Sequence, residues 1–419
     1  MADRKLLRVV AAAGVLAVVA AGCSKSNDKK TTTGGSSGGP VKVGTLLPVT
    51  GSLAFLGPPE IAGVKLAVKD INAAGGVNGK DVTIDEGDSG DTSTNIASQT
   101  VGRELNDGVS AIVGAASSAV SLKVIDKITA AGVIQISPAN TSDKLTAYPD
   151  KGLYFRTAPP DLLQAQALSE LILADGGSKL GILALDDPYG TGLATNTEKD
   201  FTDQGGKVIK KIIYDPQATS FRTEVAQMKA ATPDAIALIG FDESAKILQT
   251  MNEQGIGPKN GTKVYGVDGN MGNALGEKFK EPGSLNGMKG TTPLTNLSAD
   301  FKARVKAVNP KLVDFNYAGE SYDATVIVAL AADEAKSNKG TAIAKHMIDV
   351  TKDGTSCTSY KDCKAIIDKG GNPDYDGTIG KVSFVAAGEP GEGSYGILQF
   401  GANNKIDDSK TTYKIVKGK

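Results

Sequence analysis

The sequence predicts an α/β protein built from two sets of parallel strands. Short apolar strands alternate with amphipathic helices between residues 41 and 267, which is the pattern of βαβ units with helices on both faces of a sheet. The segment 154–160 interrupts this alternation and separates the two sets. The chain also has 51 glycines in 419 residues, as expected where many strands turn tightly into helices.

The first set follows from apolar runs and from apolar residues at helical spacing. The helix at 58–74 has a proline at its start, apolar residues such as Val64 and Val68 on one face, and Gly75 at its end. The predicted elements are strands at 41–47, 82–84, 109–114 and 132–137 and helices at 58–74, at 92–105 and from about 118 onward.

The second set begins after Arg156, and a mainly helical region follows it. Continuous apolar runs such as 179–185 and 235–239 are typical of strands that are buried on both faces. The predicted strands are 179–185, 208–214, 235–239 and 263–267, and the helices are 162–174, 190–204, 221–231 and 244–253. Beyond residue 290 we predict helices at 299–308, 317–335 and 342–351 and strands at 396–400 and 412–416.

The stretch 109–121 (VSAIVGAASSAVS) combines a strand, a tight turn and the start of a helix. The first N–H groups of such a helix point into the crevice at the end of the sheet. With the hydroxyls of Ser117 and Ser118, they would form a small anion site suited to a carboxylate. The alternative is that one serine only caps the helix and that nothing binds there.

The N-terminus predicts export. A basic segment precedes an apolar run that is too short to span a bilayer comfortably, and the run ends at Cys23. The sequence Ala20-Ala21-Gly22-Cys23 resembles a bacterial lipoprotein signal, which implies cleavage after residue 22 and lipidation of Cys23. The alternative is an ordinary secretory signal. Residues 23–40 contain a Thr/Gly/Ser-rich run and predict a flexible tether.

Composition excludes several functional classes. The net charge is −1 without a basic stripe, so we expect no nucleic-acid partner. The single histidine, His346, argues against a metal site and against a Ser-His-Asp hydrolase, so the prediction is a protein that is not an enzyme and has no cofactor. Cys357 and Cys363 lie six residues apart, and export favours a disulfide between them.

Four pieces of the chain resemble the type I periplasmic binding proteins of ABC transporters, and in particular the leucine/isoleucine/valine-binding group. The resemblance covers residues 41 to about 400. The pieces are 43–52 (VGTLLPVTGS) with 63–79 (GVKLAVKDINAAGGVNG), 113–118 (VGAASS), 136–142 (ISPANTS) and 187–194 (DPYGTGLA).

The resemblance implies two doubly wound, Rossmann-like lobes that are joined by a three-segment hinge and close on a ligand. The chain would cross between the lobes near 156–157, 291–292 and 381–386. The expected division is a signal peptide at 1–22, a lipid-anchored tether at 23–40, lobe one at 41–157 and 292–382, and lobe two at 158–291 and 383–419.

The resemblance also implies which residues hold the ligand of an amino-acid-binding member. Ser118, Ala139 and Thr141 match the positions that bind the ligand carboxylate, and Ser117 is then the helix cap. Asp268 matches the acidic residue that accepts the ligand ammonium, where the family commonly has glutamate.

Four further positions border the ligand in the family. Tyr189 matches a tyrosine that packs over the ligand backbone, and Phe241 matches a position that is often tyrosine. Leu56 and Tyr317 match positions beside the side-chain pocket, although Tyr317 could equally be a helix-packing residue.

The sequence therefore predicts a monomeric, lipid-anchored protein on the outer face of the cytoplasmic membrane. It would capture a small amino acid, in particular a branched-chain one, and deliver it to an ABC permease. One alternative keeps the fold but binds an amide, a urea or an aromatic acid, which lack the full pair of carboxylate and ammonium. Another alternative is a ligand sensor for a signalling partner.

Overall fold

The computed structural model describes residues 39–418. The predicted signal peptide, the lipidation site at Cys23 and the tether up to residue 38 lie outside the described residues. Among residues 39–418, no helix is long and apolar enough to cross a membrane.

The described chain alternates strands and helices up to residue 293, after which helices and short strands follow. The strands are β1 Lys42–Leu47, β2 Thr83–Asp88, β3 Ala111–Gly114, β4 Ile134–Ser137, β5 Tyr154–Arg156, β6 Lys179–Leu185, β7 Lys207–Tyr214, β8 Ala235–Ile239, β9 Lys263–Gly266, β10 Lys289–Pro293, β11 Thr355–Cys357, β12 Pro373–Gly377, β13 Gly380–Lys381, β14 Glu392–Gln399 and β15 Thr412–Lys417. The α-helices are α1 Gly57–Ala73, α2 Ile96–Asn106, α3 Ser118–Ala130, α4 Asp161–Ala174, α5 Pro188–Asp203, α6 Arg222–Ala231, α7 Ser244–Gln254, α8 Asn273–Glu277, α9 Ala299–Val308, α10 Ala318–Ala335, α11 Gly340–Ile343 and α12 Tyr360–Ile367.

Two large sheets carry the fold, one in each lobe. The first has the order β2-β1-β3-β4-β5, and all its strands are parallel. The second has the order β7-β6-β8-β9-β10-β14-β15, in which β14 and β15 run antiparallel. Strand order reverses beside β1 in one sheet and beside β6 in the other, and such switch points open a crevice at the carboxyl ends of the strands. The doubly wound α/β fold class is confirmed.

The sheets are buried because helices cover both faces. Every residue of β3 and of β8 is buried, which accounts for their continuous apolar sequences. Helix α10 is buried along nearly its whole length, because α1 and α12 pack against it. Gly63 of α1 permits this approach, since a Cβ there would lie 2.3 Å from the carbonyl oxygen of Ala318.

Three details of the predicted elements are wrong. Helix α2 begins at Ile96 and not at residue 92, because residues 92–95 form turns around the side chain of Asp91. The predicted helix 342–351 is only the single turn α11 followed by a 3-10 turn. Strands β5 and β10 and the small sheet β11-β12-β13 were not predicted, since β5, β11 and β13 have only two or three residues and the sequences of β10 and β12 are mainly polar.

The cysteine pair lies in this small sheet region. Cys357 ends β11 and Cys363 belongs to α12, and a disulfide joins them as expected. Neither residue lines the cavity described below.

Candidate ligand-binding site

A small cavity lies where the loops that follow strands of both sheets meet. Its lining comes from the loops after β1, β3, β4, β6, β8 and β9 and from the start of α10, namely Leu53, Leu56, Ala116, Ser117, Ser118, Ala139, Thr141, Tyr189, Phe241, Asp268, Gly269 and Tyr317.

The start of α3 forms one polar wall. Gly114 has a φ of 130°, and a Cβ there would lie 2.0 Å from the carbonyl oxygen of Leu46, so glycine is required for the turn. Ser117 caps the helix, because its Oγ accepts a hydrogen bond of 3.3 Å from the N–H of Val120. The first helical N–H groups lack intrahelical acceptors, which leaves that of Ser118 for a ligand.

The loop after β4 is fixed against this helix start by buried hydrogen bonds. The side chain of Asn140 donates to the carbonyl oxygen of Ala116 over 2.8 Å, and the N–H of Ser142 donates to Ser118 Oγ over 3.3 Å. Ser118 Oγ therefore accepts from the protein, and its own hydroxyl hydrogen remains to be donated into the cavity. Thr141, from the same loop, contributes a second hydroxyl to this wall.

Asp268 supplies a carboxylate from the other lobe. Tyr189 Oη donates to one of its oxygens over 2.7 Å and Tyr317 Oη to the other over 2.8 Å, so the carboxyl group is fixed in orientation. Burial raises the pKa of Asp268, and the hydrogen bonds from Tyr189, Tyr317 and Gln164 offset part of that increase. A carboxylate in such a place gains when a cation binds beside it, because the cation replaces lost solvation.

The remaining lining is apolar. The rings of Tyr189 and Phe241 stack with centroids 5.4 Å apart and an interplanar angle of 8°. Leu53 and Leu56 lie on the opposite lobe, in the segment between β1 and α1. An aliphatic side chain of a ligand would therefore be enclosed by carbon atoms.

A buried ion pair supports the loop that carries Thr141. Arg156 is fully buried in β5, and its Nη2 lies 2.5 Å from Glu389 Oε2. The same guanidinium donates to the carbonyl oxygen of Ser142 over 2.9 Å and to Thr146 Oγ1 over 2.8 Å. The pair thus fixes the loop 140–146, and its position was not apparent from the sequence because its members are 233 residues apart.

The structure brings all eight predicted contact residues to this one cavity, although their roles toward a ligand stay predictions. Tyr317 both lines the cavity and packs at the start of α10. Sequence reasoning missed Leu53, Ala116 and Gly269 as lining residues, since small and apolar residues in loops carry no distinctive signal. It also missed Asp161 and Gln164, two buried polar residues in the first turn of α4.

The fold and the site together define a class of two-lobed proteins that hold a small solute between their lobes. A sequence model of the family described as periplasmic binding protein matches residues 40–387. The chain belongs to the periplasmic binding protein family, whose members bind solutes and are not enzymes.

Two relatives illustrate the sequence similarity. The Leu/Ile/Val-binding protein homolog 8 of Brucella abortus (strain 2308) is 31% identical over 231 residues, which are 52% of this chain and 56% of the relative. The match thus spans little more than half the length of that relative. The chemotactic signal transduction system substrate-binding protein BasB of Halobacterium salinarum is 27% identical over 84% of this chain and 85% of its own length.

A solved structure shows the similarity of the whole fold. The substrate-binding protein LivJ of a branched-chain amino acid transporter from Streptococcus pneumoniae, solved in complex with isoleucine, is 25% identical to this chain. The two structures superpose with a TM-score of 0.73, over 90% of this chain and 100% of LivJ.

Proposed function

We propose that this protein captures a branched-chain amino acid between its lobes and delivers it to an ABC permease. The hydroxyls of Ser118 and Thr141, with the N–H groups at the start of α3, would bind the ligand carboxylate. Asp268 would bind the ammonium, and the apolar wall formed by Leu53, Leu56 and Phe241 would hold the side chain.

One observation carries this proposal: donors suited to a carboxylate and an acceptor suited to an ammonium line the same cavity from different lobes. A ligand with both groups contacts both lobes, so it stabilises the closed arrangement more than a ligand with one group. The isoleucine bound in LivJ and the name of the Brucella relative, a Leu/Ile/Val-binding protein homolog, support this assignment of ligand class.

The lining of the cavity narrows the ligand further. Its aliphatic and aromatic wall suits leucine, isoleucine or valine better than a charged side chain. Among the cavity-lining residues of the described chain, Asp268 is the only one with a charged side chain. An amide, a urea or an aromatic acid would leave either Asp268 or the hydroxyl wall without its partner.

The proposed site of action is the outer face of the cytoplasmic membrane, with the lipid on Cys23 as anchor and residues 23–40 as tether. The motif around Cys23 supports this, and a monomer is sufficient because the cavity is formed by one chain. Replacement of Cys23 by serine should release the protein from the membrane fraction, and retention of that variant would contradict anchoring by lipid.

A second role in sensing is favoured by one observation, the similarity to the chemotactic binding protein BasB over most of both chains. A sensor would bind the same ligand in the same cavity. It would differ from a transport protein in the partner that recognises its closed form. Uptake of labelled leucine by cells with and without the gene distinguishes the roles, since a pure sensor leaves uptake unchanged.

A thermal-shift screen of the purified chain tests the ligand class. We expect leucine, isoleucine or valine at about 100 times its dissociation constant to stabilise the protein by about 2.7 kcal/mol. Two one-ended analogues of leucine serve as controls: 4-methylpentanoic acid lacks the ammonium, and 3-methylbutylamine lacks the carboxylate. A shift with benzoate or an amide, and none with any amino acid, would contradict the proposal.

A further inference from the structure

We propose that Arg156 is a positioning residue of the ligand site, which holds the backbone of the loop after β4 so that its carbonyl oxygens face away from the ligand carboxylate. The loop then presents donors to the cavity in place of acceptors. This inference rests on the proposed function, because it explains how a loop of ordinary peptide groups comes to favour a carboxylate.

Arg156 lies behind the polar wall and outside the cavity. It ends β5, its side chain is fully buried, and it does not line the cavity. Its Nη1 donates to the carbonyl oxygen of Ser142 over 2.9 Å and to that of Asn140 over 3.4 Å. One guanidinium nitrogen therefore binds both of these carbonyl groups.

The carbonyl group between these two is held in the same way. The carbonyl oxygen of Thr141 accepts from the backbone N–H of Asp161 over 2.7 Å, and Asp161 does not line the cavity either. The three consecutive carbonyl oxygens of residues 140–142 are thus all bound by groups outside the cavity.

The direction of the carbonyl groups sets the direction of the N–H groups. A trans peptide places its C=O and its N–H on opposite sides, and both peptides of residues 140–142 are trans. The N–H of Thr141 therefore points away from Arg156, and that of Ser142 points away from Asp161. The N–H of Ser142 accordingly donates to the cavity-lining Ser118 Oγ over 3.3 Å, which leaves the Ser118 hydroxyl hydrogen for the ligand.

Arg156 acts on the ligand through this orientation and not through its own charge. Glu389 balances that charge, because its Oε2 accepts from Nε over 2.9 Å and from Nη2 over 2.5 Å. A carbonyl oxygen that faced the cavity would repel a carboxylate, whereas an N–H or a hydroxyl attracts it. Only a guanidinium has donors on several nitrogens in a fixed fork, so it can bind Glu389 and the loop at once.

Substitutions of the two members of the ion pair test this role. Arg156→Lys keeps the charge but has a single nitrogen, so it cannot bind Glu389 and both carbonyl groups together. Calorimetry should show a loss of about tenfold or more in affinity for L-leucine. Glu389→Gln leaves the bonds from Arg156 to the loop, so its loss should be smaller by about threefold or more. Equal losses in the two variants, or near-normal affinity in Arg156→Lys, would overturn the proposal.

The chemistry of the ligand separates positioning from a general loss of structure. In Arg156→Lys, 4-methylpentanoic acid should lose affinity as leucine does, whereas 3-methylbutylamine, which has no carboxylate, should keep it. Ligand-observed NMR measures both, and an equal loss for the amine would overturn the proposal. The matched control is Arg304→Lys, whose arginine pairs with Asp70 and does not line the cavity, and its affinity for leucine should match that of the wild type.

A second variant keeps the test valid if Arg156→Lys does not fold. The double substitution Arg156→Met with Glu389→Leu removes both charges, which avoids a single unpaired charge in the interior. It also removes the donor to the two carbonyl groups, so affinity for leucine should again fall by about tenfold or more with an unchanged circular dichroism spectrum. Near-normal affinity in this double variant would overturn the proposal.

Amide hydrogen exchange distinguishes failure of this inference from failure of the proposed function. If the wild type binds no amino acid, the proposed function is wrong. The N–H of Ser142 should still exchange faster in the double variant than in the wild type, because the loop has lost the donor that orients it. An unchanged exchange rate at Ser142 would overturn the role of Arg156 whatever the ligand is.

Discussion

At the scale of single residues, the proposed site depends on the charge of Asp268. Its two oxygens are held by the hydroxyls of Tyr189 and Tyr317, which leaves further lone pairs to accept from an ammonium. Burial raises its pKa, and a cation that binds beside it stabilises the ionised form. The ligand and the carboxylate thus stabilise each other.

Replacement of Asp268 by alanine should abolish amino-acid binding and leave the fold intact. A buried ammonium without its partner costs roughly 3–5 kcal/mol, which corresponds to a loss of about 10² to 10³-fold or more in affinity. Calorimetry measures the loss, and circular dichroism checks the fold. The matched control is Asp242→Ala, an exposed carboxylate beside Phe241 whose surface pair with Lys278 contributes little. Near-normal affinity in Asp268→Ala would contradict the proposed role.

Affinity for the amino acid should also fall at acidic pH. Because the pKa of Asp268 is raised, protonation of its carboxyl group begins above the usual aspartate range and removes the acceptor of the ammonium. Binding in that range should release a proton, because the ligand ammonium favours the ionised form of Asp268. Dissociation constants measured from neutral pH downward check this, and a constant value to about pH 4 would contradict it.

At the scale of secondary-structure elements, two adjacent serines at the start of α3 have different roles. Ser117 caps the helix by accepting a hydrogen bond from the N–H of Val120. The Oγ of Ser118 accepts a hydrogen bond from the N–H of Ser142, and its hydroxyl hydrogen can be donated to a ligand. The turn that places them requires Gly114, whose backbone conformation a larger residue would strain. The geometry of this one turn therefore sets both the stability of the helix and the direction of the ligand contact.

Two neighbouring substitutions should separate these roles. Ser117→Ala should lower the free energy of unfolding by about 1 kcal/mol through loss of the helix cap. Ser118→Ala should instead weaken amino-acid binding by about 10 to 100-fold, because a hydrogen bond to a charged group is lost. Each variant is the control for the other in urea unfolding and in calorimetry. If the larger loss of affinity occurs in Ser117→Ala, the assignment of the two serines is wrong.

At the scale of the whole molecule, contacts beside the cavity also hold the lobes together. The carboxylate of Asp314, in the loop before α10, accepts from the backbone N–H of Asn273 over 2.9 Å and from its side chain over 2.7 Å. Asn316 donates to the carbonyl oxygen of Met271 over 3.1 Å, and Ser142 Oγ donates to that of Pro188 over 2.9 Å. None of these bonds needs the ligand, so under the proposed hinge closure we expect them to favour the closed arrangement.

Asp314→Ala should therefore weaken binding although Asp314 does not line the cavity. In the proposed hinge closure, loss of bonds that join the two lobes should lower the population of the closed form, and the apparent affinity should fall by the same factor. Because Asp314→Ala removes two hydrogen bonds to a carboxylate, we expect the apparent affinity to decrease by about tenfold or more. X-ray scattering of the ligand-free variant should show a larger radius of gyration than the wild type. Unchanged scattering and affinity would exclude a role in closure.

The sequence by itself determined the α/β class, the order of most elements and the residue types at the cavity. The spacing of apolar residues and the glycines at the ends of elements are local features of the sequence, so they predicted β1, α1 and the turn at Gly114. The resemblance to a known family then indicated Ser118, Thr141 and Asp268, and the fold brings all three to one cavity.

Only the tertiary structure decided how these residues are held. The edge strand β5 and the internal strand β10 have no clear local signal, because their pairing with neighbouring strands of the sheet defines them. The Arg156–Glu389 pair and the hydrogen bonds from the two tyrosines to Asp268 each join segments far apart in the chain. Burial and charge at a site depend on every neighbour in space, and a linear sequence does not specify those neighbours until the chain is folded.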